Sequence, residues 1–157
     1  MVLLDEDYHD QIFSIMVSPV ETARPTDLLE VALRRMVAKN IGCIVIVDRD
    51  KPVGIITERD ISRNVAKSPE TLKIAVDRIM SSPMIFLSPD APINEAMETM
   101  LSYGIRRLPV VEEGKLVGIV SIRDLLHWTV KIANEPKILP EIKAILRKPI
   151  ASRTQRV

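Results

Sequence analysis

One stretch of this chain occurs twice. Pro52-Val53-Gly54-Ile55-Ile56-Thr57-Glu58-Arg59-Asp60-Ile61 returns as Leu116-Val117-Gly118-Ile119-Val120-Ser121-Ile122-Arg123-Asp124-Leu125. The offset is 64 residues, and it holds without a gap through the preceding unit. Ile15 answers to Ile79, Met16 to Met80, Pro19 to Pro83 and Pro25 to Pro89. Ala32 answers to Ala96, Met36 to Met100, Ile41 to Ile105, Val47 to Val111 and Lys51 to Lys115. A gapless match of prolines, glycines and charges identifies a duplication, so the fold must be two copies of one supersecondary unit sharing a core.

Each copy reads as β-α-β-β-α behind an opening helix, an α/β fold. The opening helices are expected over 5–16, with Tyr8, Ile12 and Ile15 on one face, and over 69–80, with Leu72, Val76 and Ile79 there. Ser68 as N-cap and Pro69 at the first helical position mark the start of the second. Brief extended segments follow (Val20 to Thr22, Met84 to Leu87). An amphipathic helix then carries Leu29, Ala32, Leu33 and Met36 in copy one, and Ile93, Ala96, Met97 and Met100 in copy two. Cys43 to Val47 and Leu108 to Val111 are continuous apolar runs, as in strands buried on both faces. Polar turns at 48–51 and 112–115 make each run the first arm of a hairpin, and closing helices start at Glu58 and Ile122. The copies are therefore bounded at 5–66 and 67–134. Residues 135–157 lie outside the repeat and read as one short helix followed by a flexible polar tail.

Composition removes several classes of function. A chain of 157 residues buries enough surface to be stable without disulfides or metals. Aromatics are only 3% of it, so the stacking platforms of single-strand nucleic-acid binders are missing. A net charge of +1 gives no basic footprint, which makes nucleic acid an unlikely partner. Acidic residues at the head (Asp5, Glu6, Asp7, Asp10) and basic ones at the tail (Lys143, Arg147, Lys148, Arg153, Arg156) read as solvated ends. With a single cysteine, Cys43, there is no disulfide framework and no CxxC knuckle. No signal peptide or membrane span is visible, and a reducing, cytoplasmic setting is the default expectation.

Catalytic constellations are equally scarce. His9 and His127 are isolated, the five glycines spell neither GxGxxG nor a P-loop, and Cys43 sits inside a hydrophobic strand. No metal site and no enzyme are expected. What stands out is the doubled strand-to-helix junction, Thr57-x-x-Asp60 and Ser121-x-x-Asp124. Structurally it is a capping box, in which the hydroxyl caps the helix and the carboxylate reaches back. Chemically the same atoms offer free helix N–H groups and a hydroxyl for phosphate or ribose oxygens. A carboxylate there accepts from sugar hydroxyls, as in dinucleotide sites. The reading is a nucleoside site, one per copy.

The pattern Met-x-x-Pro, apolar strand, Gly-Ile-Ile-Thr-Glu-Arg-Asp-Ile, with Gly-Ile-Arg-Arg-Leu-Pro-Val-Val and Gly-Ile-Val-Ser-Ile-Arg-Asp-Leu in the second copy, resembles a tandem pair of cystathionine-β-synthase (CBS) domains, the Bateman module. The resemblance spans about residues 8–130. It implies two repeats packed through their sheets with pseudo-twofold symmetry, and clefts that bind adenosine-containing ligands: AMP, ADP, ATP or S-adenosylmethionine. Asp60 and Asp124 would accept from ribose hydroxyls, and Thr57 and Ser121 would touch ribose or phosphate. Arg59 and Arg123 stand inside the same motifs. Val20 and Thr22, with Met84 and Phe86, would border the base, and Arg106 and Arg107 would hold phosphate. The chain departs from symmetry at the last pair, whose copy-one counterparts are Gly42 and Cys43.

The resemblance also implies a homodimer formed through the central helices, where Val31, Val37 and Leu101 add apolar surface beside the buried stripe. Any regulated protein would be another chain. The rival reading is a dimerisation adaptor whose clefts are vestigial.

Overall fold

The computed structural model of the protein describes residues 10–133. Tyr8 and His9, with the tail beyond 133, lie outside the described residues. Strand β1 (Thr22–Ala23), helix α1 (Leu29–Lys39), strands β2 (Cys43–Asp48) and β3 (Lys51–Thr57) and helix α2 (Glu58–Lys67) form the first copy. The second has α3 (Ile93–Tyr103), β4 (Arg107–Glu112), β5 (Lys115–Ser121) and α4 (Ile122–Ala133). In the first copy β1 runs parallel to β2, and β2 is antiparallel to β3. In the second, β4 and β5 form the hairpin, and Leu87 takes the place of β1 through a parallel bridge to Val110.

The repeat extends to fine detail. The register slips at Ile46/Val47 and again 64 residues on, at Val110/Val111. Both hairpins turn through two residues with positive φ, Arg49-Asp50 and Glu113-Gly114, the conformation that matches strand twist. Helices α1 and α3 each end on a left-handed residue, Asn40 and Gly104. Their predicted stripes are the ones that sink: Leu29, Ala32 and Met36, and Ile93, Ala96 and Met100, are all buried, with Leu33 and Met97 packed beside them.

The opening segments correct the sequence reading. Among the described residues the first segment holds 3-10 turns at Asp10 and at Ile12–Ser14, and 69–80 form two 3-10 helices, Pro69–Lys73 and Val76–Arg78. The reason is where their backbone groups go. Ile12 and Phe13 donate to the carbonyls of Ala91 and Pro89, and Leu29 donates to Ile74 while Val76 donates to Asp27. Groups spent on a facing loop cannot close an α-helical turn.

Those bonds also decide which core each segment completes. Val76, with Leu72, Ile79 and Met80, packs into the core of the first copy. Ile12, with Ile15 and Met16, packs into the core of the second. By packing, the molecule is one body of residues 22–80 and another built from 85–133 plus the start of the chain. Ile12 and Val76 are each wholly buried, and removing such side chains from water contributes about 1.5–3 kcal/mol apiece. Two short antiparallel bridges, Val17 with Ile119 and Ser81 with Ile55, stitch segment to strand at positions related by the same 64-residue offset.

The repeated glycines belong to this arrangement. Met80 lies over Gly54 in β3, and Met16 lies over Gly118 in β5. A β-carbon at either glycine would fall inside the thioether. Gly54→Ala is therefore expected to cost about 1–3 kcal/mol in urea unfolding, through overpacking. In a Met80→Ala background the added cost should shrink, because the sulfur is gone. Strictly additive losses would show that the glycine serves its own backbone rather than the methionine.

Candidate functional site

Strands β3 and β5 end at Thr57 and Ser121, and a helix begins at the next residue in each case. Both junctions close the capping box expected from the spacing. The Thr57 N–H and hydroxyl donate to Asp60 Oδ2 at 2.9 and 2.7 Å, and Asp60 N–H donates back to Thr57 Oγ1 at 3.4 Å. Ser121 and Asp124 repeat this at 2.7, 2.6 and 3.4 Å. Helix α2 is also tied to the approach to β2 by Glu58 N–H to the Gly42 carbonyl, and α4 to the approach to β4 by Ile122 N–H to the Arg106 carbonyl.

In both boxes the intramolecular bonds converge on one carboxylate oxygen, Oδ2. Oδ1 takes no part in them. Capping therefore occupies one oxygen of the side chain and leaves the other out of the box. A carboxylate held by its rear oxygen at a helix N-terminus is fixed in orientation, and its front oxygen can accept from a pair of vicinal hydroxyls.

Beside Thr57 and Asp60 lies a cleft of about 240 Å³. It is near the lower bound of small-molecule sites, roughly 300–1,000 Å³, and suits a nucleoside-sized ligand rather than a segment of another protein. The first body supplies Ile55, Thr57, Asp60, Arg59 and Arg63; across from them stand Met84, Ile85, Tyr103, Arg106 and Arg107. The lining thus combines apolar side chains with a cluster of basic ones. Four arginines face two carboxylates, Glu58 and Asp60. The ion pairs among the described residues, such as Arg35–Asp27 and Arg34–Glu30, use none of these four arginines.

Arg107 of the second copy reaches into the first. Its guanidinium lies against Gly42, where a β-carbon would collide with it, and the Glu58 carboxylate borders the same spot. Burial pushes the neighbouring Cys43 thiol up from 9.0 to about 11; Arg107 opposes that rise and Glu58 adds to it.

The residues proposed from sequence divide between places. Thr57, Arg59, Asp60, Met84, Arg106 and Arg107 line this one cleft, although they come from different copies. Gly42 and Cys43 do not line it; Gly42 lies against the Arg107 side chain, and Cys43 is buried beside it. Ser121, Arg123 and Asp124 stand at the counterpart junction, where Val17 pairs with Ile119. There the offset puts Lys39, Asn40, Gly42 and Cys43 at the positions of Tyr103, Gly104, Arg106 and Arg107. Phe86 is 53% exposed and does not line the Asp60 cleft; Ile85 does. Thr22 pairs with Val45 and lines a separate groove with Arg24, Arg35 and Arg49, and Val20 lies half-buried just before it. Sequence reasoning missed Arg63, Tyr103 and Glu58. Arg63 was within reach, because four residues after Arg59 is the same helix face.

The CBS domain family matches the chain twice, over residues 12–67 and 76–131. An uncharacterized protein of Methanopyrus kandleri is 42% identical over 136 residues, which is 83% of this chain and 62% of that protein's length. Among solved structures, a CBS-domain containing protein from Agrobacterium tumefaciens superposes with TM-score 0.74 at 27% identity, over 81% of this chain and 98% of the other. A CBS domain pair solved in complex with 5′-methylthioadenosine and S-adenosyl-L-methionine superposes with TM-score 0.72 at 29% identity, over 78% and 97%.

The raised thiol pKa gives a direct check on the interior of the site. Below pH 9 the thiol is neutral folded or unfolded, so it does not affect stability. Between 9.0 and about 11 the unfolded chain loses its proton while the folded one keeps it, so stability falls as pH rises through that window. At pH 8, alkylation of Cys43 should run roughly a hundredfold slower in the folded protein than in urea, following the thiolate fraction. Equal rates would place the thiol in water.

Proposed function

Because the chain belongs to the CBS domain family, we propose that it is a non-catalytic regulatory module that binds an adenosine-containing ligand in the Asp60 cleft and passes that state to a partner protein. The observation that carries this reading is the division of labour within the capping carboxylate. Asp60 is locked by Oδ2, keeps Oδ1 out of the capping box, and lines a cleft that also holds Ile55, Met84 and Ile85, which suits a ribose with an attached flat base. The same is proposed for Asp124 at the second junction.

The charge of the cleft narrows the ligand. Arg59, Arg63, Arg106 and Arg107 outnumber the two carboxylates and have no ion-pair partner among the described residues. An anion would supply one, and guanidinium forks hold phosphate oxygens bidentately. AMP, ADP or ATP therefore fits this cleft better than a sulfonium cation such as S-adenosylmethionine. Unpaired arginines also argue against vestigial clefts, since a cleft without a ligand has no use for clustered like charge. Catalysis finds no support in the thiol, which burial keeps protonated.

Calorimetric titration with adenosine and AMP tests both parts. Asp60→Ala should weaken both ligands about ten- to a hundredfold, the cost of losing hydrogen bonds to a charged acceptor. Arg107→Ala should weaken AMP clearly and leave adenosine almost unchanged, and added salt should erode AMP more than adenosine. Absence of heat with any adenosine ligand would refute the reading. Equal losses for both ligands in Arg107→Ala would make that arginine a structural residue.

The module is further proposed to act as a homodimer. Val37 and Leu101 are 73% and 80% exposed at matched positions of α1 and α3, and Leu126 and Val130 form an exposed apolar step on α4. Apolar surface of this kind marks an interface. A monomer mass by light scattering at micromolar concentration would contradict it.

A further inference from the structure

The geometry points to a head-to-tail dimer, in which the first copy of each protomer faces the second copy of the other; this rests on the dimer reading above. The module is pseudo-twofold symmetric, as the paired bridges Val17–Ile119 and Ser81–Ile55 show. Turning one protomer end for end presents nearly the same helical surface to its partner. Backbone shape therefore cannot choose an orientation, and the choice falls to the exposed side chains that break the repeat.

Those side chains differ in charge first. On α1 the exposed cations are Arg34, which also pairs with the half-buried Glu30 one turn back, and Lys39. On α3 the charged residues are Glu95 and Glu98, with no cation in the helix. Arg34 and Glu98 occupy the same position of the repeat, three residues before Val37 and Leu101. A head-to-head dimer sets Arg34 near Arg34 and Glu98 near Glu98. A head-to-tail dimer sets Arg34 near Glu98 twice, once on each side of the twofold axis. Like charges facing across an interface select against a wrong pairing more strongly than unlike charges strengthen a right one.

They differ in size as well. Leu126 and Val130 on α4 correspond to Ser62 and Ala66 on α2, and all four are exposed. Head to head, large side chains oppose large ones in one half of the interface and small oppose small in the other. Head to tail, each large side chain meets a small one in both halves. Complementary packing without a clash or a void follows only from the second arrangement. Charge and volume, carried by different helices, select the same orientation.

Charge reversal separates the alternatives. Arg34 and Glu98 lie on the surface, so Arg34→Glu and Glu98→Arg should fold with near-native stability. Dimer dissociation constants come from analytical ultracentrifugation at low salt. In the head-to-tail dimer each single variant places two like-charged pairs in the interface and weakens association about tenfold or more, an effect that fades in high salt. The double variant Arg34→Glu/Glu98→Arg restores opposite charges and recovers wild-type affinity. A wild-type dimer indifferent to either single change overturns the orientation, as does a double variant no tighter than the singles. A wild-type monomer overturns the dimer itself and leaves ligand binding in the cleft standing.

Discussion

The contact on which the rest depends is the seating of a methionine over a glycine. Met16 on Gly118 and Met80 on Gly54 hold the opening segments against strands β5 and β3, and the strand bridges at Val17 and Ser81 follow directly after them. Each segment brings one wholly buried side chain, Ile12 or Val76, into the body that it completes. It then carries the chain across between the bodies. Met84 and Ile85, which wall the cleft, are placed by that crossing. The Asp60 cleft is thus a by-product of how the two cores are closed.

Much of this was written in the residues. The duplication, the helical stripes, the buried strand runs and the capping boxes are all local patterns, and local patterns survive folding when the backbone satisfies itself nearby. The opening helices did not survive. The periodicity of Leu72, Val76 and Ile79 correctly marks a buried face, but it says nothing about where the N–H groups will find acceptors. Here they find them in a loop of a different element. The CBS resemblance supplied what periodicity could not, namely that the sheets pair across a pseudo-twofold axis. It assigned Val20, Thr22, Met84 and Phe86 to the base, and of these Met84 lines the Asp60 cleft, with Ile85 beside it. Placement of Arg107 against Gly42 was beyond any single-copy reading, because the two residues belong to different copies and meet only in the assembled molecule.

Duplication followed by divergence has left the scaffold symmetric and its chemistry lopsided. The bulge positions, hairpin turns, capping boxes and the pair Gly54 and Gly118 match at 64 residues, while Arg106 and Arg107 stand against Gly42 and Cys43, and Arg34 against Glu98. Gly42 is part of the difference: its missing side chain leaves the space that the Arg107 guanidinium fills. A gain of charge in one copy and a loss of bulk in the other act at the same point. Surface positions tolerate such drift cheaply, and core positions do not, so function diverged at the rims while both cores kept the same stripe.

The closing of the second core has a consequence for the order in which the protein can be made. Everything the first body needs is contiguous, ending with Met80. The second body needs Ile12, Ile15 and Met16, which leave the ribosome before the first body does, together with Leu108, Val120 and Leu125, which leave it after. At roughly 5–20 residues per second these early side chains remain without their final partners for several seconds after synthesis. The finished first body must hold them in reach on a tether of a few residues. A deletion of residues 12–16 is therefore a lesion in the second body.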